Sequence, residues 1–199
     1  MRSTSRHEIY RKAKVGAAAG AIGGITVIIS LFGIDYYLGA APGTFYMMIG
    51  VAVGLHEMPA IVFGFVAHML TAITIGTVFC VCSAFHRVLN LTSLRKGIFA
   101  GGVTGLEVYA IFFMPITLYL MMPTIDSTIV DTSQKLVTAY EQATASVLKA
   151  NLVSIMWGAL VIHVFYGSVM GVFSAMMLYE DYKNPTKKIN KESGSTSTT

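Results

Sequence analysis

Two histidines and one glutamate lie inside long apolar stretches of this 199-residue chain. Counted at about 1.5 Å per helical residue, His68, Glu107 and His163 each lie about 14–16 Å from the nearer end of their stretch. The hydrocarbon layer of a bilayer is about 30 Å thick, which places all three near its midplane. Burying an imidazole or a carboxyl group there is costly unless the group is paired or functional. These three residues are therefore predicted to form a midplane polar site.

Such a site could pass a proton or hold a cation, and this is the first hypothesis for its role. Glu107 would need a partner such as a histidine, because an isolated carboxylate is too costly in lipid. It is also about 200° around its helix from Gly105, so it would face another helix or a neighbouring protomer if Gly105 faces helix 2 or helix 4. The structural alternative is that each histidine joins two helices through hydrogen bonds. Hydroxyl partners for that role are Thr71, Thr74, Thr104 and Ser168.

The same three residues also raise the hypothesis of a metal or haem site. His68 and His163 could be the two axial ligands of a haem across an open cavity, and together with Glu107 they could bind iron, zinc or copper. The sequence has no Cys-x-x-Cys-His motif, and neither apolar stretch carries a second histidine. The spacing therefore gives the ligand interpretation no independent support, and no cofactor is expected.

The helices that must position these residues are predicted from where charge is missing. Only 12% of the residues are charged and 54% are hydrophobic, against about 25% charged in soluble domains. Apart from Glu107, four long windows contain no Asp, Glu, Lys or Arg, and each reaches the length of about 20 residues that crosses a bilayer as a helix. This pattern excludes a disordered chain and a soluble globular domain. It predicts an all-α, polytopic membrane protein whose transmembrane domain spans 14–182, with helices at about 14–39, 58–85, 96–122 and 151–180.

The basic residues predict the orientation of these helices. Of the 14 Lys and Arg residues, all but Lys135 and Lys149 fall before Val15, between Arg87 and Lys96, or after Tyr182. Positive residues in short loops stay on the cytoplasmic side of a membrane. Both termini are therefore predicted to be cytoplasmic in a multi-pass protein of the cell membrane. The N-terminal basic arm would span 1–13, and a disordered tail would span 183–199.

The net charge of +4 is attributed to contact with anionic lipid head groups. The lipid bilayer is therefore the first expected partner. Nucleic acid is not expected as a partner, because no aromatic residues interleave the short basic tail.

Two segments between the helices are predicted to lie on the opposite, outer side. Residues 44–55 are apolar but too short to cross, and Pro42-Gly43 separates them from helix 1. They are predicted to form an interfacial or re-entrant half-helix. Residues 131–149 are predicted to form an outer amphipathic helix that begins at Asp131 with Gln134. Its apolar stripe would be Leu136, Tyr140, Ala143 and Val147.

Small residues recur every four positions in the predicted helices, and the pattern is duplicated. The glycine row of helix 1 returns in helix 3 after 81 positions, and His68 with Gly76 returns as His163 with Gly171 after 95 positions. This predicts two repeated hairpins related by an axis along the membrane normal. Because lipid does not drive helices together, small residues are needed to let backbones approach. The predicted packing positions are Gly16, Gly20, Gly24, Gly76, Gly97, Gly101, Gly105, Gly167 and Gly171.

The small-residue helices, together with His163 followed by Gly167 and Gly171, resemble the YagU-like group of small four-helix membrane proteins. The resemblance implies the four-helix fold and says little about activity. It does not extend to the outer segment at 123–150.

Three functions are compatible with the sequence. The first is a small transporter, or a protein that conducts protons or cations, with His68, Glu107 and His163 as its midplane relay. The second is a non-catalytic subunit or scaffold of a larger membrane complex, which would use the glycine rows and the outer helix as docking surfaces. A homo-oligomer or a partner in a membrane complex is expected. The third is a haem- or metal-binding membrane protein. An enzyme is not expected, because the sequence contains no nucleophilic triad, paired-aspartate site or nucleotide-binding fingerprint.

Overall fold

The computed structural model describes residues 6–85, 91, 93–130 and 138–183, and these residues form helices without strands. Four of the helices are long and apolar enough to cross a membrane. The all-α class and the four potential spans are therefore confirmed. In chain order the helices are α1 (Arg6–Tyr37), α2 (Thr44–Val51), α3 (Glu57–Phe85), α4 (Leu94–Val130), α5 (Ala139–Ala150) and α6 (Leu152–Lys183).

Two of the long helices extend beyond their predicted ends. The basic arm expected at 1–13 is helical from Arg6 onwards. Lys12 is only 3% exposed there, and its Nζ lies 3.8 Å from Oε1 of Glu8 one turn earlier, a pair that supports a helix. Helix α4 continues past the predicted end at residue 122 because its last turns carry a buried face. Most of the predicted tail, from residue 184 onwards, lies outside the described residues.

Helix α4 contains two wide, π-helical turns, at Tyr109–Phe113 and Thr117–Met121. The first turn precedes Pro115 and the second precedes Pro123. A proline has no amide hydrogen and crowds the carbonyl four residues earlier, which here is that of Ile111 or Tyr119. Widening the helix before each proline relieves this crowding. Turns of this kind often occur at functional sites, and both of these turns contribute side chains to the cavity described below.

The four long helices form a row in the order α3, α1, α6, α4. Helix α1 packs along α3, helix α4 packs along α6, and α1 also contacts α6. Among the described residues, α3 and α4 hardly contact each other, although both line the same cavity. The row is therefore curved, and its two ends flank a cleft.

Glycines bring the paired helices into backbone contact. A Cβ atom added at Gly101 would overlap the carbonyl oxygen of Gly167, and one added at Gly20 would overlap that of Ala72. Both helix pairs are antiparallel. Helices α1 and α6 are also antiparallel, since Gly23 meets Tyr166 and Gly158 meets Ile34. The start of α1 and the end of α6 therefore lie on one side, which we call the terminal side. The other side is the cap side. The remaining predicted packing glycines lie in the same two contacts, namely Gly16 and Gly76 in the first, Gly97, Gly105 and Gly171 in the second, and Gly24 against the side chains of Met69 and Ala72.

The cap side is covered by α2 and α5, which we call the cap. Both helices pack against the ends of the long helices in a second hydrophobic core, distinct from the one between α1, α3 and α6. The buried members of this core are Met47, Met48, Ala60, Met121, Ile125, Ala145, Leu148 and Ile155.

Helix α2 runs antiparallel to α3, with its first turn deeper than its last. Gly64 meets the backbone of Tyr46, and Gly50 meets the backbone of Ala60. Gly64 lies about 10 Å below the start of α3, counted along the helix. The N-terminus of α2 therefore points away from the cap-side surface, as a re-entrant half-helix would.

Helix α5 differs from the predicted amphipathic helix in its start and in its buried face. The described helix begins at Ala139, and Thr138 caps it by accepting the N–H of Glu141. The predicted start at Asp131 and Gln134, and Leu136 of the predicted stripe, lie outside the described residues. Of the other stripe positions, Tyr140 is 40% exposed, Ala143 is exposed and Val147 is half-buried. The buried face is instead Glu141, Thr144, Ala145 and Leu148, because hydrogen bonds hold Glu141 inside.

Candidate midplane site

His68 and His163 line the same cavity, which has a volume of about 240 Å³. Each lies about 16 Å from the cap-side start of its helix, counted along the helix. All four long helices contribute to the lining, and α2 and α5 close the cavity on the cap side. The structure therefore brings together two of the three predicted site residues, at a common height.

The lining of this cavity is mostly aliphatic and aromatic. Its polar side chains, besides the two histidines, are Asp35, Thr71, Thr117 and Tyr166. The Tyr166 hydroxyl donates to the carbonyl oxygen of Ala72 at 3.0 Å, and Thr71 donates to its own helix. The imidazoles, Asp35 and Thr117 are therefore the groups that can contact a ligand in the cavity.

One hydrogen bond determines the tautomer of neutral His163. Its Nδ1 lies 2.7 Å from the carbonyl oxygen of Ala159, which can only accept, so Nδ1 carries the hydrogen. Nε2 of the neutral ring therefore has a free lone pair. Aromatic rings of α4 hold the imidazole on its other sides, with centroids 5.9 Å away at Tyr109 and 5.1 Å away at Phe113.

His68 has a different environment. Its ring meets the edge of Tyr46 from α2, with centroids 5.7 Å apart. Its Nε2 is buried and has no hydrogen-bond partner among the described residues, and the same holds for Oγ1 of Thr117. Buried polar atoms are nearly always hydrogen-bonded. These two atoms are therefore available to a ligand or to water in the cavity.

Tyr46 presents a neutral phenol beside His68. It is 1% exposed, and both its burial and the negative charge of Asp35 raise its pKa. Its hydroxyl, like Nε2 of His68, is buried and has no hydrogen-bond partner among the described residues.

Asp35 is a site residue that the sequence interpretation missed. It is 4% exposed, and its Oδ2 accepts the N–H of Gly43 at 2.8 Å. Gly43 is the residue before α2, with a φ of 87° that glycine adopts without strain. A carboxylate at this end of α2 is favoured by the helix dipole. The sequence signal was an acid at the end of an apolar run, followed by Pro42-Gly43 and a second, shorter apolar run.

Glu107 does not join the histidines. It is exposed and lies in a separate groove of about 530 Å³ between α3 and α4. Its height matches that of His163, because Gly105 contacts the backbone of His163 and Glu107 lies about 3 Å further along the helix. Ile75, Val108 and Phe112 line both spaces and form the wall between them.

The separation of Glu107 from the histidines also argues against the metal site of His68, Glu107 and His163 that the sequence raised as a hypothesis. Among the described residues, no three His, Cys, Asp or Glu side chains are close enough to hold a metal ion. The orientation of Glu107 on α4 is the reason, since it turns the carboxylate to the far side of the wall.

Three of the four hydroxyl groups considered as histidine partners bond to their own helices instead. Thr71 donates to Ala67, Thr74 to Leu70 and Ser168 to Val164, each at 2.8–2.9 Å and each four residues earlier. Such bonds satisfy the hydroxyl within one helix. These three side chains therefore do not tie the histidines to a neighbouring helix.

A second buried polar centre lies in the cap. The side chain of Glu141 has no exposed surface, and its Oε1 lies 3.2 Å from Nδ1 of His56. The carboxylate also accepts the backbone N–H groups of Glu57 and Thr138, both at 3.0 Å. This network joins α5 to the start of α3. The sequence signal was the capping box of Thr138 and Glu141.

No protein-family model, curated protein or solved structure was found to match this chain. The function therefore has to be inferred from the cavity and the groove themselves.

Proposed function

We propose that the protein is a small membrane transport protein that moves protons through the His68–His163 cavity. The observation that carries this proposal is that two imidazoles at one height face a single cavity, which also contains the carboxylate of Asp35. In each ring at least one nitrogen is free of protein hydrogen bonds among the described residues. Imidazole is the side chain best suited to gain and lose a proton near neutral pH.

The hydrogen bonds suggest how a proton would move. A proton would arrive at Nε2 of His163, because Nδ1 already donates its hydrogen to Ala159. His68 has its Nε2 free for the same exchange. Asp35 lies at the cap end of the cavity and would receive or deliver the proton there, directly or through water.

The lining favours a proton over a metal ion or a hydrated cation. A cation that leaves water needs several oxygen ligands in place of its hydration shell. The cavity surface is mainly hydrocarbon, and the side-chain oxygen atoms that could bind a cation are those of Asp35 and Thr117. A proton needs only a succession of titratable groups or a few water molecules, for which the cavity has room.

The wall between the cavity and Glu107 supports gated transport rather than an open channel. Ile75, Val108 and Phe112 have no group that could carry a proton. A proton that passes between the histidines and Glu107 requires the wall to move. The wide turn that begins at Tyr109 is where α4 could bend, since its hydrogen bonding is already irregular.

Proton flux into vesicles tests this proposal. Purified protein would be placed in phosphatidylcholine vesicles that contain a pH-sensitive dye, and flux would be driven by a valinomycin potassium potential. The double variant His68→Asn, His163→Asn should reduce the flux to that of empty vesicles. His7→Asn is the matched control, because His7 lies at the exposed start of α1, and its flux should equal that of the unchanged protein.

Two results would contradict the proposal. The first is an unchanged protein whose flux equals that of empty vesicles. The second is a double variant that conducts as well as the unchanged protein.

We also infer that the two helix pairs are repeats of one hairpin. The contact of Gly16 with Gly76 corresponds to that of Gly97 with Gly171, at the offsets of 81 and 95 positions seen in the sequence. The contact of Gly20 with Ala72 corresponds in the same way to that of Gly101 with Gly167. Equal offsets in independent contacts support a duplicated packing register.

A further inference from the structure

The groove that contains Glu107 is a second site, outside the histidine cavity. It has a volume of about 530 Å³, and the described residues that line it belong to α3 and α4. This volume is within the range of sites that bind drug-sized molecules. The lining is mainly apolar, and its polar members are Thr74, Cys82, Thr104 and Glu107.

The carboxylate of Glu107 is unusual for a residue at this depth. Among the described residues, no hydrogen bond or ion pair holds it, and no Lys, Arg or His lines the groove. In surroundings of low dielectric constant, an uncompensated negative charge attracts a cation strongly. A carboxyl group in an apolar groove that no Lys, Arg or His of the described residues lines is therefore a site for a positively charged ligand.

The rest of the groove selects the kind of cation. Phe79, Phe99 and Phe112 line it together with Glu107, and aromatic faces attract cations that have lost their water. A small metal ion would find too few oxygen atoms to replace its hydration shell. An organic cation whose charge is spread over an apolar body would keep its contacts with these rings.

The groove is open to a molecule that arrives from the lipid. Helices α3 and α4 are the two ends of the helix row and hardly contact each other in the described chain. Several lining residues are turned outward, with Val78 54%, Phe99 76% and Ile111 64% exposed. A ligand dissolved in the bilayer can therefore enter between α3 and α4 without crossing the cap.

We propose that the Glu107 groove binds a lipophilic organic monocation, whose charge lies beside the Glu107 carboxylate and whose apolar body contacts the phenylalanine rings of the groove. The inference concerns a different site from the His68–His163 cavity, and it does not require that protons pass through that cavity.

Equilibrium binding of tetraphenylphosphonium tests this inference. The protein would be held in phosphatidylcholine nanodiscs, because neutral lipid does not bind the cation electrostatically. The unchanged protein should bind it saturably, and Glu107→Gln should weaken binding by at least about tenfold. Glu57→Gln is the matched control, since it removes the same charge from an exposed carboxylate at the start of α3, and it should bind as the unchanged protein does.

Two further measurements sharpen the test. Triphenylphosphine oxide, a neutral molecule of similar shape, should bind at least about tenfold more weakly than the cation. Val103→Trp should fill the groove and abolish binding while Glu107 is retained, because Val103 lines it and is 41% exposed.

Several outcomes would overturn the inference. These are no saturable binding to the unchanged protein, equal binding to Glu107→Gln, or equal binding of the neutral molecule. If Glu107→Gln does not fold, Glu107→Asp keeps the carboxylate and should keep the saturable binding, and its loss would count against the site. The binding measurement does not depend on transport. The absence of proton flux in vesicles would therefore contradict the proposed function without contradicting this inference.

Discussion

The α1–α3 pair and the α4–α6 pair are built alike but differ where chemistry can occur. Both are antiparallel, and in both small residues bring the backbones into contact at the same register. Each also contributes one histidine to the shared cavity. At the position of Glu107 in α4, however, α1 has Thr26, 81 residues earlier, and its hydroxyl donates to Gly23 of its own helix at 2.6 Å.

The contacts around the two histidines also differ between the pairs. His68 meets Tyr46 of the cap helix α2. His163 meets Tyr109 and Phe113, which belong to a wide turn of α4 within the same pair. The two pairs therefore have similar residues where their helices pack together, and different residues around their histidines. Both pairs pack through small residues because small residues let helix backbones approach closely, whereas a single site needs its groups only once.

The largest effect should come from a bulky residue in either helix contact. Gly101→Leu and Gly20→Leu should each lower the free energy of unfolding by about 3 kcal/mol or more, because the added side chain meets a backbone carbonyl that cannot yield. Gly33→Leu is the control, since a side chain there meets nothing within 4 Å. Denaturant titration in detergent micelles measures all three. A Gly101→Leu protein as stable as Gly33→Leu would refute the proposed equivalence of the two pairs.

Loss of the cap network should have the next largest effect. Glu141→Ala removes the acceptor of two backbone N–H groups and the partner of His56. Leaving buried donors unsatisfied should lower the free energy of unfolding by about 2–3 kcal/mol. Gln142→Ala on the same helix is the control and should change little. The same denaturant titration measures the free energy of unfolding of both variants. Equal stability of the two would contradict the role of the cap network.

An exchange between the pairs sharpens the comparison at the groove. Glu107→Thr gives α4 the residue of α1 and should weaken tetraphenylphosphonium binding by at least about tenfold. Thr26→Glu in that background should not restore binding, because Thr26 does not line the groove. Binding in phosphatidylcholine nanodiscs measures both variants. Restoration by Thr26→Glu would show that any midplane carboxylate suffices.

The smallest effect should come from the ion pair that links α4 to α5. Nζ of Lys149 lies 2.7 Å from Oδ1 of Asp126, with both side chains about half exposed. Exposed pairs contribute little to stability, so Asp126→Asn should lower the free energy of unfolding by less than about 1 kcal/mol. A larger loss in denaturant titration would mean that this pair, rather than the buried core of the cap, holds α5 in place.

The features predicted best from the sequence are those that depend on one helix at a time. Four apolar windows predict the four long helices, because hydropathy and length are local properties. The start of α1 was misplaced because a basic residue such as Lys12 can bury its stem in a helix and still find a charged neighbour. Membership of the YagU-like group stays a prediction.

The features missed by sequence interpretation depend on which helices become neighbours. The height of Glu107 follows from counting residues, but the direction in which it faces requires knowing that α4 pairs with α6 and stands apart from α3. Asp35 becomes a cavity residue only because the chain turns back into α2. Neither relation leaves a periodic signal in the sequence.

The central claim is that His68 and His163 act in one proton path through a common cavity. A double-mutant cycle on proton flux in phosphatidylcholine vesicles tests it most directly, with His68→Asn, His163→Asn and the double variant measured together. If both residues serve one path, each single variant loses as much flux as the double variant does, because effects within one unit are not additive. Single variants that each remove part of the flux, with the double variant removing the sum of the two losses, would show two separate paths and contradict the account.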